Sequence, residues 1–116
     1  MTYRQYDVVV VPFPFTDSSA SKKRPTLIIS DATAFNKSTK KSVMAMITTP
    51  SHSPWTLDVP ITDLKSAGLK AKSIVRMKLF TLDDALVIKK IGKLATGDRD
   101  RVQKSLQQLF NLESKN

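Results

Sequence analysis

The sequence predicts a mainly β protein of the β+α class, a small antiparallel barrel with short helical turns and one C-terminal helix. Two observations predict it. Short β-rich segments separated by polar or proline-containing stretches recur along the 116 residues, which is typical of small barrels. Near the end of the chain, the apolar residues change to helical spacing. A chain of this length forms about one domain, so we expect a single domain over residues 1–116.

Six segments are predicted to be strands. The first is the valine run of residues 7–12, since β-branched side chains suit an extended backbone and Pro12 and Pro14 end the run. Residues 55–59 alternate apolar and polar, the pattern of a half-exposed strand. Polar residues 18–24 are predicted to form a loop, and so are residues 31–41, with at most a short helical turn. The remaining strand segments are residues 25–30, 42–49, 72–80 and 86–92.

The C-terminal helix is indicated by four apolar residues on one helical face. They stand at i, i+4, i+7 and i+8 and are Val102, Leu106, Leu109 and Phe110. Asp98 lies near the start of this helix, where a carboxylate favours the positive helix end. We expect the helix to cover one open face or end of the barrel. Earlier in the chain, Thr62 and Asp63 are predicted to cap a short helical turn that ends at Gly68.

The charge points to a polyanionic partner. Nineteen Lys+Arg against ten Asp+Glu give a net charge of +9 and a pI near 10.0. Nucleic acid is the first candidate, an acidic protein the second, and a membrane surface the third, because no basic amphipathic helix is evident. No apolar run approaches the roughly 20 residues of a membrane span, and no signal peptide precedes the first strand. We therefore expect a cytoplasmic protein with no membrane association.

The residue inventory excludes several kinds of catalytic site. The chain has no cysteine, one histidine and one glutamate, which excludes disulfides, thiolate chemistry and zinc sites built from cysteine or histidine clusters. Three glycines are too few for a glycine-rich phosphate loop. Only Asp83 and Asp84 form a carboxylate pair, and adjacent residues on a strand face opposite sides. We therefore expect neither a metal ion nor another cofactor.

Basic residues before the second strand are the first candidates for a site. Pro25 restricts Arg24 to extended backbone, and a guanidinium held at the mouth of a barrel can donate two parallel hydrogen bonds to a phosphate. Lys22 and Lys23 stand beside it and can contact phosphates, although a solvated basic turn is the simpler interpretation for these two lysines.

Hydroxyl and aromatic side chains form the second group of candidates. Thr48 and Thr49 end the third strand, where a hydroxyl can donate to a phosphoryl oxygen; β-propensity alone also explains a threonine there. His52 follows and can act as a general base or be an ordinary surface histidine. Trp55 and Phe15 can stack on nucleobases or fill the core.

Several short segments occur in a defined order along the chain. They are DVVVVPFPFTD at 7–17, KRPTLIIS at 23–30, MITT at 46–49, SIVR at 73–76, FTLD at 80–83 and IGKL at 91–94. This ordered set resembles the MazF/PemK family of toxins over nearly the whole chain. The resemblance implies an SH3-like barrel, a two-fold homodimer and a cognate acidic antitoxin that occupies the RNA groove.

The resemblance also implies an activity. Many family members are sequence-specific, metal-independent endoribonucleases that cut single-stranded RNA through attack of the 2′-hydroxyl, leaving 2′,3′-cyclic phosphate and 5′-hydroxyl ends. The family's catalytic arginine before proline falls on Arg24, and its threonine at a strand end falls on Thr48. Thr49 is a neighbouring accessory candidate. The predicted RNA-binding residues are Lys22, Lys23, Phe15, Trp55, Arg76 and Lys78.

The loop before the Arg-Pro step departs from the family pattern. Residues 17–23 contain neither the glycines nor the glutamate that many members carry there. Asp17 is the accessory substitute for that glutamate, and His52 is a candidate for the missing base. Two alternatives therefore stay open: a non-catalytic, nucleic-acid-binding SH3-like barrel, and a module that binds an acidic peptide.

Overall fold

The structure is a computed structural model that describes residues 1–14, 22–50 and 53–112. Its six strands are β1 (Asp7–Phe13), β2 (Lys22–Ile28), β3 (Lys41–Thr48), β4 (Val59–Pro60), β5 (Ile74–Asp83) and β6 (Lys89–Lys93). The helices are α1 (Lys37–Thr39), α2 (Leu64–Ala67) and α3 (Thr96–Leu109). A π-helical turn, Ala32–Asn36, leads into α1, and a 3₁₀ turn, Asp84–Leu86, follows β5.

The strands form one antiparallel sheet in the order β4-β5-β3-β2-β1-β6. The sheet curls into a half-barrel, so the predicted fold class is confirmed. The predicted covering helix is confirmed in part. Val102 and Leu106 of α3 pack against the sheet, whereas Phe110 stays 56% exposed and Leu109 is also exposed. The apolar face predicted for this helix is therefore covered in its first half only.

Apolar side chains cover both faces of the sheet, because successive strand residues point to opposite sides. One face carries the larger core, with Val8, Leu27 and Ala45 packed beneath α3. The other face carries a smaller core, with Val9, Val11 and Met44. The candidate site lies on this second face, at the end of the sheet where β2 begins and β3 ends.

The short helix α2 forms as predicted. The Asp63 carboxylate accepts the Ser66 N–H at 3.0 Å, and Gly68 ends the helix in the left-handed region at φ 74°. Side chains would not fit at this contact, since a Cβ on Gly68 would lie 2.0 Å from the carbonyl oxygen of Ile91. Helix α2 therefore lies directly against the backbone of β6.

The strand predicted over residues 55–59 is wrong, because β4 contains only Val59 and Pro60. The backbone of Leu57 is left-handed, at φ 74°, which an extended strand does not allow. Asp58 instead closes a turn, since its carboxylate accepts the Trp55 N–H at 2.8 Å.

The prediction of a loop over residues 18–24 is wrong for its last three residues. Lys22, Lys23 and Arg24 form the start of β2 and pair with Phe13, Pro12 and Val11 of β1. Exposed lysine and arginine side chains are compatible with a strand when its neighbour supplies backbone hydrogen bonds, and β1 does so here.

Other boundaries also differ from the prediction, since β2 ends at Ile28 instead of residue 30 and β5 spans Ile74–Asp83 instead of residues 72–80. Residues 31–41 contain more helix than a single short turn, because the Asp31 side chain accepts the Ala34 N–H at 2.7 Å and caps the π-helical turn before α1. The last strand begins at Lys89 instead of residue 86, since the chain first makes the 3₁₀ turn.

Candidate active site

The candidate site lies where the ladder between β2 and β3 stops. The paired residues begin at Thr26, opposite Met46, and run away from Pro25. Proline has no N–H to donate, so it cannot continue the ladder. Extending the register by two residues brings Arg24 opposite Thr48. The two predicted catalytic residues therefore lie at the mouth of an open ladder end.

An open depression of about 220 Å³ occupies this place. It is lined by Phe13, Arg24, Met46, Ile47, Thr48, Trp55, Arg76 and Lys78. Five of the predicted site residues are thus brought together from four separate segments of the chain. They are Arg24, Thr48, Trp55, Arg76 and Lys78.

A bulge in β5 positions the basic side of the depression. Ala45 pairs with Leu79 and Met46 pairs with Arg76, so Met77 and Lys78 are extra residues between the two pairs. Bulges commonly re-aim side chains next to functional sites. Because two residues are inserted, Arg76 and Lys78 stay on the same face of β5.

Arg24 presents its charge to solvent. Its guanidinium carbon lies 5.8 Å from the centre of the Phe13 ring, the side chain is exposed, and no carboxylate pairs with it among the described residues. Stacking on an aromatic ring restrains a guanidinium without neutralising it. Arg24 is therefore suited to hold an anion.

Arg76 is arranged differently, because Asp58 neutralises it. Its Nε donates to Asp58 Oδ1 at 3.1 Å and its Nη2 donates to Oδ2 at 3.0 Å. These hydrogen bonds are the main cause that lowers the pKa of Asp58, against the effect of burial, and they also raise the pKa of Arg76. The Arg76 side chain lies on Trp55, with its guanidinium carbon 4.9 Å from the ring centre.

Sequence reasoning missed Asp58. The only indication was the alternation of residues 55–59, which was interpreted as a strand. Asp58 stands three residues after Trp55 and two before Pro60, and an aspartate in this position is equally typical of a turn. This local pattern indicates the turn but does not identify Arg76 as the partner of Asp58.

Three other predicted residues lie outside the depression. Lys22 pairs with Phe13 and lies on the same face of β2 as Arg24, two residues before it in the strand. Lys23 is the residue between them and points to the opposite face of β2. Thr49 is exposed just beyond the end of β3. Phe15, Asp17 and His52 lie outside the described residues.

The described parts of the chain hold no group of three His, Asp or Glu side chains that can bind a metal ion. In the same residues, no helix is long and apolar enough to cross a membrane. The side chains that line the depression include cations, a hydroxyl group and aromatic rings.

The curled half-barrel with a terminal helix places this fold among the small SH3-like barrels. The chain belongs to the PemK-like, MazF-like toxins of type II toxin-antitoxin systems, whose family model matches residues 4–110. No curated protein matches the chain in direct sequence comparison.

Solved structures share this fold at low sequence identity. An endoribonuclease from a mycobacterial species, in complex with its cognate antitoxin, has a TM-score of 0.75 at 16% identity, covering 98% of both chains. The Mycobacterium tuberculosis toxin MazF-mt6 has a TM-score of 0.72 at 19% identity, covering 93% of this chain and 99% of that one. A MazE-MazF complex from Deinococcus radiodurans has a TM-score of 0.72 at 17% identity, covering 97% and 99%.

Proposed function

We propose that this chain is the toxin of a toxin-antitoxin pair and a sequence-specific endoribonuclease that cleaves single-stranded RNA without a metal ion. The observation that carries the proposal is the meeting of Arg24 and Thr48 at the open end of the β2–β3 ladder, in one depression with Trp55, Arg76 and Lys78. The depression offers a cation that has no carboxylate partner among the described residues, a hydroxyl group and an aromatic surface, which suit a phosphodiester of unpaired RNA.

The proposed reaction needs no protein nucleophile. The 2′-oxygen of the substrate forms a bond to the adjacent phosphorus while the bond from phosphorus to the 5′-oxygen breaks. A base accepts the proton of the 2′-hydroxyl, and an acid gives a proton to the leaving 5′-oxygen. Arg24 stabilises the charge that develops on the phosphoryl oxygens, and Thr48 donates to one of them. The products are a 2′,3′-cyclic phosphate and a 5′-hydroxyl.

The proton acceptor is proposed among the accessory residues His52 and Asp17, with His52 the first to test, while Thr49 is an accessory hydroxyl beside Thr48. Unperturbed histidine titrates near pH 6.5, so a histidine base gives a turnover rate that rises through this range. The variant His52→Ala should lose that rise. An unchanged pH profile would remove His52 from the mechanism and leave the base elsewhere.

The remaining proposed contacts follow from charge. Lys22 and Lys78 are proposed to bind RNA beside Trp55 and Arg76, and Phe15 is proposed to add a stacking ring. Lys23 points to the opposite face of β2 and is therefore not proposed as a contact in this depression. The net charge of +9 also favours an acidic antitoxin, and the similar folds include toxins in complex with an antitoxin and with MazE. We propose that the chain acts as a homodimer in the cytoplasm.

The test uses a long single-stranded RNA in EDTA with the unaltered protein, Arg24→Lys and Arg24→Ala. Arg4→Lys is the matched control, because Arg4 is also exposed but does not line the depression. We expect discrete fragments with 5′-hydroxyl ends, and a loss of turnover of about 100-fold or more in both Arg24 variants. RNA affinity should fall much less, because one cation of many is changed.

Two results would contradict the proposal and favour another function. Intact RNA that is still bound in a salt-sensitive way would indicate a non-catalytic nucleic-acid-binding barrel. Intact RNA without affinity at modest salt would indicate a module for an acidic peptide. A basic depression is compatible with both of these alternatives. Only RNA cleavage that depends on Arg24 distinguishes the enzyme from them.

A further inference from the structure

Two guanidinium groups stacked on aromatic rings flank the depression, and they differ in charge. The Arg24 and Phe13 pair carries a full positive charge, because no carboxylate of the described residues contacts Arg24. The Arg76 and Trp55 pair is neutral overall, since Asp58 forms an ion pair with Arg76. The two sides of the depression are therefore suited to different parts of a nucleotide.

Asp58 fixes both members of the neutral pair. Its carboxylate accepts Nε and Nη2 of Arg76 and also the Trp55 N–H, at 3.1, 3.0 and 2.8 Å. The Asp58 N–H donates to the Trp55 carbonyl oxygen at 3.3 Å, and Arg76 Nη2 donates to the Ser53 carbonyl oxygen at 3.0 Å. This set of contacts, from Ser53 to Asp58 and Arg76, is called the Asp58 clamp below.

One edge of Arg76 stays available within the Asp58 clamp. A guanidinium has five N–H donors, and Nε and Nη2 use three of them on Asp58 and Ser53. Nη1 makes no hydrogen bond with a described residue, although the side chain is only 9% exposed. No fully enclosed polar side-chain atom of the described residues lacks a partner, so Nη1 is not fully enclosed, and Arg76 lines the depression.

A neutral, oriented donor next to an exposed ring suits a nucleobase better than a phosphate. Phosphate binding gains most from net positive charge, which Asp58 cancels at Arg76 and which Arg24 and Lys78 retain. Nucleobases present flat faces and carbonyl or ring-nitrogen acceptors on their edges. Trp55 is 47% exposed, so its indole offers stacking area at the same place.

We propose that the Asp58 clamp is a nucleobase-reading element, in which Arg76 donates from Nη1 to the acceptor edge of one unpaired base stacked on Trp55. Asp58 is a positioning residue that holds the donor and the ring in register. The inference rests on the proposed function for the identity of the ligand as RNA, and it assigns sequence preference at one nucleotide to these three residues.

The fluorescence of Trp55 gives a direct test, because the chain has one tryptophan. The probes are four short single-stranded oligodeoxyribonucleotides, each of one base type, which lack the 2′-hydroxyl and therefore cannot be cleaved by the proposed reaction. We expect saturable quenching, with affinities that differ by about tenfold between the best and the worst base.

Two variants separate base reading from simple folding. Asp58→Asn removes the neutralising charge, so affinity for all four probes should stay equal or rise while the tenfold preference falls to about twofold. Arg76→Lys keeps the charge and loses the forked geometry, so the preference should also fall. A purely structural role would lower affinity and thermal stability together. Where Asp58→Asn fails to fold, Arg76→Lys still tests the proposal.

The β3–β5 pair also offers a matched control, at the end of its ladder far from Arg76. Lys41 of β3 and Asp83 of β5 form an exposed ion pair, and Asp83→Asn should leave the base preference unchanged. Equal quenching by all four probes in the unaltered protein would overturn the proposal, as would a preference that survives in both variants. Base-dependent quenching in a protein that does not cut RNA would uphold this inference and refute only the proposed cleavage.

Discussion

Asp98 of α3 accepts hydrogen bonds from both the backbone N–H and the hydroxyl of Thr62, at 3.0 and 2.8 Å. It also accepts the Asp63 N–H at 3.0 Å and contacts the Arg101 guanidinium. The Asp98 side chain is fully buried, so this carboxylate joins the start of α3 to the segment that leads into α2. Its role at the helix end is thus wider than the favourable dipole interaction that the sequence predicts.

Asp98→Asn should lower the free energy of unfolding by about 3 kcal/mol. The amide keeps the shape but places N–H donors against backbone N–H groups, and Arg101 loses its charged partner. Urea unfolding at pH 7 measures the change. Asp100→Asn, at an exposed position on the same helix, is the control and should stay within about 0.5 kcal/mol of the unaltered protein.

Stability should also fall in acid. Burial disfavours the charged form of Asp98, but the N–H groups of Asp63 and Thr62, the Thr62 hydroxyl and Arg101 together lower its pKa. A carboxyl whose pKa is lower in the folded state contributes stability above its unfolded pKa of about 3.9 and loses it as the pH falls through the folded value. Urea midpoints measured from pH 6 to pH 2 should therefore decline less in Asp98→Asn; parallel curves would contradict this.

Gly92→Ala should destabilise the fold by about 2 kcal/mol or more. A Cβ on Gly92 would lie 2.5 Å from the Ala67 carbonyl carbon and from the Ser66 carbonyl oxygen, both of them backbone atoms that cannot turn away. Gly97→Ala is the matched substitution: the nearest atom to its Cβ would be Arg101 Nη1 at 3.7 Å, and alanine favours a helix by up to about 1 kcal/mol. Thermal unfolding should order the proteins Gly97→Ala, unaltered, Gly92→Ala, from most to least stable.

Thr48→Val should lower kcat for RNA cleavage by about 30-fold, as expected for the loss of one hydrogen bond to a charged oxygen. Thr49→Val changes the same residue type one position on, outside the depression, and should cost a few-fold at most. Single-turnover cleavage of one RNA by both variants measures the difference. Equal losses of kcat in the two variants would contradict the assignment of the functional hydroxyl to Thr48.

Lys22→Gln and Lys23→Gln should affect RNA binding unequally, because Lys22 shares the face of Arg24 and Lys23 points to the other face of β2. Loss of one phosphate contact lowers the slope of log affinity against log salt by about 0.7 for single-stranded RNA. We expect that decrease for Lys22→Gln alone. Titrations of a non-cleavable RNA at several salt concentrations check it, and a larger effect of Lys23→Gln would refute the face assignment.

Much of this fold follows from local patterns in the sequence. The valine run, the proline-bounded strands and the Asp63 to Gly68 cap depend on neighbouring residues, and each formed close to its predicted place. Arg24 was identified because Pro25 fixes its backbone and because of the family motif. The sequence also placed Thr48 at a strand end, where the structure has it.

The parts that could not be predicted depend on contacts between distant segments. Lys22 to Arg24 are polar enough for a loop, and only β1 makes them a strand. Asp58 lies 18 residues from Arg76, and a left-handed Leu57 is needed to turn it towards that arginine. The local sequence can indicate the turn but not its arginine partner, so the neutralised arginine and the orientation of Trp55 became visible only in three dimensions.

The pairing of β1 with β6 has a consequence for how the protein is made. Val9, near the start of the chain, pairs with Lys90, near its end, so a ribosome has already synthesised every residue of the depression before the last ladder of β1 can form. A nascent chain that stops short of β6 leaves one edge of β1 without its partner. Translation as far as β6 is thus required for assembly of the sheet, and a product truncated before β6 has no complete framework on which to hold Arg24 and Thr48 together.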